Sequence, residues 1–351
     1  MPIPTLPTRR LPRTGQSLTV LGLGCAPLGG LFESVGAGEA RSTIDAAWAV
    51  GCRLFDTAPF YGYGLAEHRL GDALRDRPRD EWVLSTKVGR LLKPTSRASS
   101  LGSKRAPGDA WVAPLAFEPV FDYSGAGVRR SLEDSLQRLG THRVDIALVH
   151  DIGELTHGGD HRRHWQALTE GGGLRELDMM KRERLVGAIG LGVNESQVVI
   201  DVLERADLDC CLIAGRYTLL EQGALPLLER CVERKVGVII GGPFNSGVLA
   251  ARDRSEAHYN YEAVPPAVRQ KADTLARVCA AQGVSLAAAA VQFPLAHPAV
   301  VACVPGARRE SEVSEIHRWS QQPLPPSLWA DLKREGLLDE RAPVPRNDDA
   351  R

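Results

Sequence analysis

Eight short β-branched runs alternate with longer segments of helical period along almost the whole chain, and this alternation restricts the fold more than any other feature. The runs are SLTVLGLG (17–24), CRLFDTA (52–58), WVLSTKVG (82–89), VDIALVH (144–150), LVGAIGLGV (185–193), CCLIAG (210–215), VGVIIGG (236–242) and VVACVPG (300–306). Between them, helices are expected near 39–50, 65–76, 125–139, 162–182, 196–206, 223–235, 264–282 and 310–318. In GVRRSLEDSLQRLG, Val128, Leu132, Leu136 and Leu139 recur at three- and four-residue spacing, the charges fall on the other face, and Gly140 offers a C-terminal stop. Eight such units without a linker or composition break favour an α/β fold of the closed (β/α)8 TIM-barrel type over an open doubly wound sheet. One domain is expected, with the barrel over about 15–320 and a C-terminal helix and tail over 321–351.

Two connections are too long for simple turns: 90–124 after the third strand and 250–263 after the seventh. Both follow strand C-termini, the face on which barrels of this kind build their sites. They carry Trp111, Phe117, Phe121, Tyr123, Tyr259 and Tyr261, residues able either to wall a substrate pocket or to pack the loops on themselves.

The 43 basic and 43 acidic side chains cancel, and no face-long basic run appears. Nucleic acid and an anionic membrane are therefore not expected partners, and a small-molecule ligand is. The oligomeric state is not legible. The seven cysteines (Cys25, Cys52, Cys210, Cys211, Cys231, Cys279, Cys303) lie mostly inside apolar segments without a CxxC pair, as buried thiols of a reducing compartment do. MPIPTLPTRRLPRTGQ lacks a signal-type apolar core, and no run of about 18 apolar residues occurs, so a cytoplasmic location is expected. The tail APVPRNDDAR reads as disordered.

Once the strands are assigned, Asp56, Lys87 and His150 fall at or just past the ends of the second, third and fourth, with Tyr61 in the loop after the second. Each alone has an ordinary explanation as a cap, a strand-end lysine, a core histidine or a gap-filling ring. Four converging on one mouth point to chemistry. A phenol titrates near 10; an adjacent ammonium favours its phenolate, and Asp56 would keep Lys87 charged and oriented. His150 could donate a hydrogen bond to an oxygen on which charge develops. Such a set moves a proton and needs a hydride acceptor beside it.

FDTAPFYGYGLAEHRLGDAL, STKVG, VDIALVHD and VPGARRESEVSEI occur in this order, and with them the chain resembles the aldo-keto reductases, whose barrel carries an Asp–Tyr–Lys–His tetrad on these strands. FDYSGAGVRRSLEDSLQRLG, AGRYTLLEQGALPLLERC, FNSGVLA and VQFPLAHPAV look most like the branch of aldose 1-dehydrogenases and pyridoxal 4-dehydrogenase. The resemblance implies NAD(P)-dependent oxidation of an aldose such as L-fucose, L-galactose or D-arabinose at its anomeric carbon, giving a lactone, with Tyr61 as general acid/base. His150 would orient the substrate oxygen, and Lys87 with Asp56 would tune Tyr61. Pyridoxal is the alternative substrate, because its aldehyde closes with a neighbouring hydroxymethyl group into a comparable ring hemiacetal. A non-catalytic cofactor-sensing barrel is the alternative class, although it has no need of an intact tetrad.

Carried over position by position, Asn194 matches the side chain that holds the carboxamide, and Tyr217 lies where a ring flanks the nicotinamide. Pro243, Phe244, Asn245, Ser246 and Gly247 match the loop over the pyrophosphate; Gly306 and Arg308 open the last motif; Glu315 matches an acid that holds the adenine. The chain departs from the pattern at Ala214, where a glutamine is usual, at Ile316, where an asparagine is usual, and at Glu312. A carboxylate at Glu312 accepts from a ribose 2′-hydroxyl and repels a 2′-phosphate, so NAD is expected over NADP, with Arg308 and Arg309 pulling the other way. GLGCAPLGG (22–30) has the wrong spacing for a dinucleotide fingerprint, and no Tyr-x-x-x-Lys occurs. HGGDHRRH (157–164) reads as a solvated loop rather than a metal site.

Overall fold

A computed structural model describes residues 6–95, 110–251, 257–260 and 262–345. Eight parallel strands form its central sheet: Leu23–Gly24, Leu54–Asp56, Val83–Val88, Val144–His150, Val186–Val193, Cys210–Ala214, Gly237–Gly241 and Val300–Val304, neighbours in chain order. Bridges from Leu21 to Cys303 and from Gly24 to Gly306 join the first strand to the last and close the barrel. A Cβ on Gly24 would sit 2.8 Å from the Val304 carbonyl oxygen, so this seam tolerates no side chain there.

The strands look continuously apolar because both faces are buried, yet each alternates with period two. Leu54, Ile146, Leu148, Cys210 and Leu212 point into the barrel; Phe55, Ala147, Val149, Cys211 and Ile213 pack outward against the helices. All seven cysteines are buried and unpaired. Among the described residues, no single helix is long and apolar enough to cross a membrane.

The run 17–24 is not one strand. Ser17–Thr19 pairs antiparallel with Thr8–Arg10, and this hairpin drives Leu11 and Leu18 into the interior cluster; only Leu23–Gly24 enters the barrel. The stretch 162–182 likewise divides into His161–Thr169 and Gly173–Arg182, because Gly171 and Gly172 interrupt it and Gly172 adopts φ +89°. The first long connection holds an antiparallel pair, Arg90–Pro94 with Phe117–Phe121; the second holds a two-residue pair, His258–Tyr259 with Glu262–Ala263. Leu286–Gln292, capped by Ser285, is a buried alanine-rich helix without a polar face to betray it in the sequence. Pro326–Arg334 forms the expected C-terminal helix. The start of the tail departs from expectation: Ala342 is buried and Val344 packs against the core, while residues 346–351 lie outside the described residues.

Candidate active site

Register brings the chemistry together at the C-terminal ends of the strands. Asp56 pairs with Ser85, and Lys87, two residues further along the third strand, shares the inward face of Ser85. The Lys87 ammonium therefore reaches back to Asp56 Oδ2 at 2.8 Å and to the Thr57 carbonyl at 2.9 Å, while Ser85 Oγ donates to Asp56 Oδ1 at 2.8 Å. Lys87 Nζ lies 4.8 Å from the centre of the Tyr61 ring, and the Tyr61 and His150 rings meet edge to face at 6.0 Å. The loop bearing Tyr61 is pinned by backbone contact: a Cβ on Gly62, at φ +63°, would lie 2.3 Å from the Gly29 carbonyl oxygen. The four residues proposed from sequence thus form one cluster, in which Asp56, Lys87 and His150 are buried and Tyr61 is partly buried.

Burial pulls the Lys87 ammonium down, but Asp56 and Tyr61 outweigh it and hold the amine above its ordinary range. Tyr61 differs from the simple expectation of a lowered phenol: burial raises it, and the nearby Lys87 offsets only part of that rise. Burial, followed by repulsion from Arg90 and Lys87, holds His150 well below the usual imidazole value, so it is neutral. The cluster is a protonated phenol and a neutral imidazole beside a compensated ion pair.

Aromatic rings wall the outer side. Trp111 meets Phe60 at 5.5 Å and Tyr61 at 5.7 Å, so this residue of the first long loop does reach the cluster. Tyr123 is buried and serves the scaffold, donating from its hydroxyl to the His150 carbonyl at 2.7 Å. Phe117 packs against the Phe60–Tyr63 cluster, Tyr259 bonds Glu221 through its hydroxyl, and Tyr261 lies outside the described residues.

From Asp56 and Tyr61 a groove of about 620 Å³ runs across the mouth, lined by Asn194, Gly215, the 241–247 loop, Gly306, Arg308, Glu312 and Glu315. The donor set fits an extended dinucleotide on three counts. Asn245 is buried with Oδ1 unpartnered, while its Nδ2 donates to the Gly215 carbonyl. Gly242, Asn245, Ser246 and Gly247 all have positive φ, which turns this loop tightly along the groove. At the far end, Glu312 Oε2 accepts the Arg308 backbone N–H at 2.7 Å, and a helix begins at Glu310. Lys87 and His150 stand behind the Asp56–Tyr61 surface rather than on the groove wall.

Two expectations are corrected. Tyr217 does not flank the groove: Gly215 turns the chain at φ +70°, and the Tyr217 ring is buried against Phe293 at 5.1 Å and His297 at 5.6 Å. Its neighbour Arg216 instead donates to the carbonyl of Asn194, a groove residue, at 2.8 Å and pairs with Glu221. The segment 157–164 is helical rather than a loop, and although Gly158–Asp160, Arg162 and Arg163 are exposed as expected, His164 is buried, its ring tilted against that of His157 at 4.2 Å, and His157 bonds the Tyr123 hydroxyl. Sequence reasoning also missed Arg90, Asp151, Glu33 and Phe32. Arg90 and Asp151 flank His150, whereas Glu33 pairs with Arg308 and Arg309, and Phe32 stacks at 3.9 Å on His258 across the groove. An arginine at the head of a strand's exit loop and an acid directly after His150 were the available signals.

The chain belongs to the Aldo/keto reductase family, a family of NAD(P)H-using oxidoreductases, which it matches over residues 20–334. It is 44% identical to pyridoxal 4-dehydrogenase of Microbacterium luteolum over 94% of this chain and 97% of that protein. It is 35% identical to D-threo-aldose 1-dehydrogenase of a Pseudomonas species over 92% of this chain and 96% of that protein. Among solved structures, the holo form of an aldo-keto reductase from Bacillus halodurans superposes with a TM-score of 0.72 at 22% identity, covering 97% of this chain and 99% of that one.

Proposed function

We propose that this chain is an NAD-dependent dehydrogenase that oxidises the hydroxyl of a cyclic hemiacetal to a lactone. Ring-closed pyridoxal, giving 4-pyridoxolactone, is the leading substrate, and an aldose such as L-fucose, oxidised at C1, is the second. The observation that carries the reading is the Asp56–Lys87–Tyr61–His150 cluster at the end of the dinucleotide-sized groove. Greater identity to a pyridoxal enzyme than to an aldose enzyme, and the ring-lined wall of Phe60, Tyr61 and Trp111, support the order of the two substrates.

Asn194, Asn245, Gly306, Arg308, Glu312 and Glu315 are the residues that would hold the cofactor, whose nicotinamide supplies the hydride acceptor. Tyr61 takes the proton from the hemiacetal hydroxyl as hydride leaves the same carbon. Lys87, fixed by Asp56, stabilises the phenolate form that makes Tyr61 a base. In the reverse direction Tyr61 is the acid. His150, neutral, donates its N–H to the reacting oxygen and orients it.

NAD is favoured over NADP by charge. Arg308 and Arg309, the cations available to a 2′-phosphate, are already engaged: Arg308 Nη1 lies 3.2 Å from Glu33, Arg309 Nε lies 3.0 Å from Glu39, and Arg309 Nη2 also pairs with Glu33. Glu312 stands 3.9 Å from both guanidinium groups. Three carboxylates thus face two arginines. The test is steady-state turnover of the wild-type and Tyr61→Phe proteins with NAD and pyridoxal: the wild type turns over and the variant falls by two or more orders of magnitude. A folded Tyr61→Phe protein with near-normal turnover removes the mechanism, and a wild type that binds cofactor without turning over would favour the sensing barrel.

A further inference from the structure

The fourth barrel strand delivers a second polar residue to the mouth directly after His150. Asp151 adopts φ +41°, unusual for a residue other than glycine, and is fixed there by its N–H, which donates to the Gly192 carbonyl at 3.0 Å. Its Oδ2 accepts from Arg90 Nη2 at 2.6 Å and stands 3.4 Å from His150 Nε2. Arg90 is 1% exposed, with its guanidinium carbon 4.2 Å from the centre of the Phe60 ring and 5.4 Å from that of Phe121. Phe60 in turn meets the His150 ring edge to face at 6.1 Å. Arg90, Asp151 and His150 form one packed unit.

A neutral imidazole has one N–H and two places to carry it. His150 Nδ1 is buried with no partner, whereas Nε2 faces a carboxylate oxygen. A proton on Nδ1 would leave a buried donor unmade and set the Nε2 lone pair against Asp151, and each of these is unfavourable. A proton on Nε2 removes both conflicts. At 3.4 Å the contact to Asp151 lies beyond the ordinary hydrogen-bond range, so this N–H remains available to a substrate oxygen.

We propose that Asp151, held in place by Arg90, is a positioning residue that fixes His150 as the Nε2–H tautomer and aims that N–H at the reacting oxygen. The aiming rests on the reading of His150 given above, whereas the tautomer does not. Asp151 touches no reacting atom in this scheme; it acts through His150, and Arg90 acts through Asp151.

The test is the 15N spectrum of the full chain labelled at histidine, with the His150 signals assigned by their loss in His150→Asn. The proposal expects a protonated Nε2 and a bare Nδ1 in the wild type. It expects Asp151→Asn to shift His150 toward the Nδ1–H form or a mixture and to lower kcat roughly tenfold. Arg90→Lys, which keeps the charge, should retain the wild-type tautomer and supplies the comparison if Asp151→Asn does not fold. A wild-type His150 protonated on Nδ1, or a folded Asp151→Asn protein with an unchanged His150 signal, overturns the proposal. Full turnover by His150→Asn would instead remove the assigned role of His150, with the tautomer result still judging Asp151.

Discussion

Replacing Glu33 and Glu312 together by glutamine tests the electrostatic basis of cofactor choice. Both substitutions remove charge while keeping size, and glutamine at 312 retains an oxygen to accept the Arg308 N–H that the Glu312 carboxylate now accepts. A phosphate charge about 5 Å from one carboxylate meets roughly 1 to 2 kcal/mol of repulsion at an effective dielectric of about 40 to 80, suited to these part-exposed groups. The side chains of Arg308 and Arg309, 31% and 45% exposed, gain freedom to pair with phosphate once Glu33 is neutral. Because the carboxylates share partners, their effects do not simply add. The expected rise in the NADP-to-NAD ratio of kcat/KM is therefore between about tenfold and a hundredfold, larger at low salt because exposed charges are screened. Initial rates of reduced-cofactor formation at two ionic strengths provide the assay. A wild type that already prefers NADP, or a double variant whose ratio moves less than twofold at low salt, would refute the reasoning.

Lys87→Met should abolish turnover and leave Asp56, 5% exposed, as an unpaired buried charge, at a cost of about 3 to 5 kcal/mol in chemical unfolding; adding Asp56→Asn should recover most of the stability and none of the activity. Because Tyr61 titrates above the ordinary phenol, its base form accumulates only at alkaline pH, so oxidative kcat/KM should climb through the alkaline range while the reductive rate falls there; an oxidative rate flat from neutral to alkaline pH contradicts this. Burial lowers His297 to about 4, and burial with His164 and Arg90 lowers His157 to about 3. Both stay neutral in the folded chain where the unfolded chain protonates, so their contribution is complete above about 6.5 and is lost as pH falls toward the folded values, by up to about 1.4 kcal/mol per pH unit each. Thermal denaturation should show a falling Tm over this window and a shallower fall in His297→Asn; parallel slopes would contradict it.

The barrel was legible because each strand is buried on both faces and so reads as an apolar run, while each outer helix carries a wide apolar stripe. The same uniformity hid what departs from the pattern. Nothing in SLTVLGLG marks where the floor hairpin ends and the barrel strand begins, since Leu18 and Leu23 are equally apolar. LAAAAVQ has no polar face from which to read a period. In the site, Asp56, Tyr61, Lys87 and His150 could be found because strand order alone brings their positions together. Tyr217 could not be placed from its strand, because the turn at Gly215 decides which of Arg216 and Tyr217 faces inward. Arg90 and Glu33 are ordinary loop charges in the sequence; only the folded loops bring them to Asp151 and to Arg308.

The central claim is that Tyr61 and its ion pair run a hemiacetal oxidation at the end of an NAD groove. Its most direct measurement is the initial rate of NADH absorbance with pyridoxal and, in parallel, with L-fucose, for the wild type and Tyr61→Phe. The account predicts NADH formation by the wild type on at least one of these hemiacetals and its near-complete loss in the variant. Cofactor binding without NADH formation on either substrate, or turnover that survives Tyr61→Phe, would contradict it.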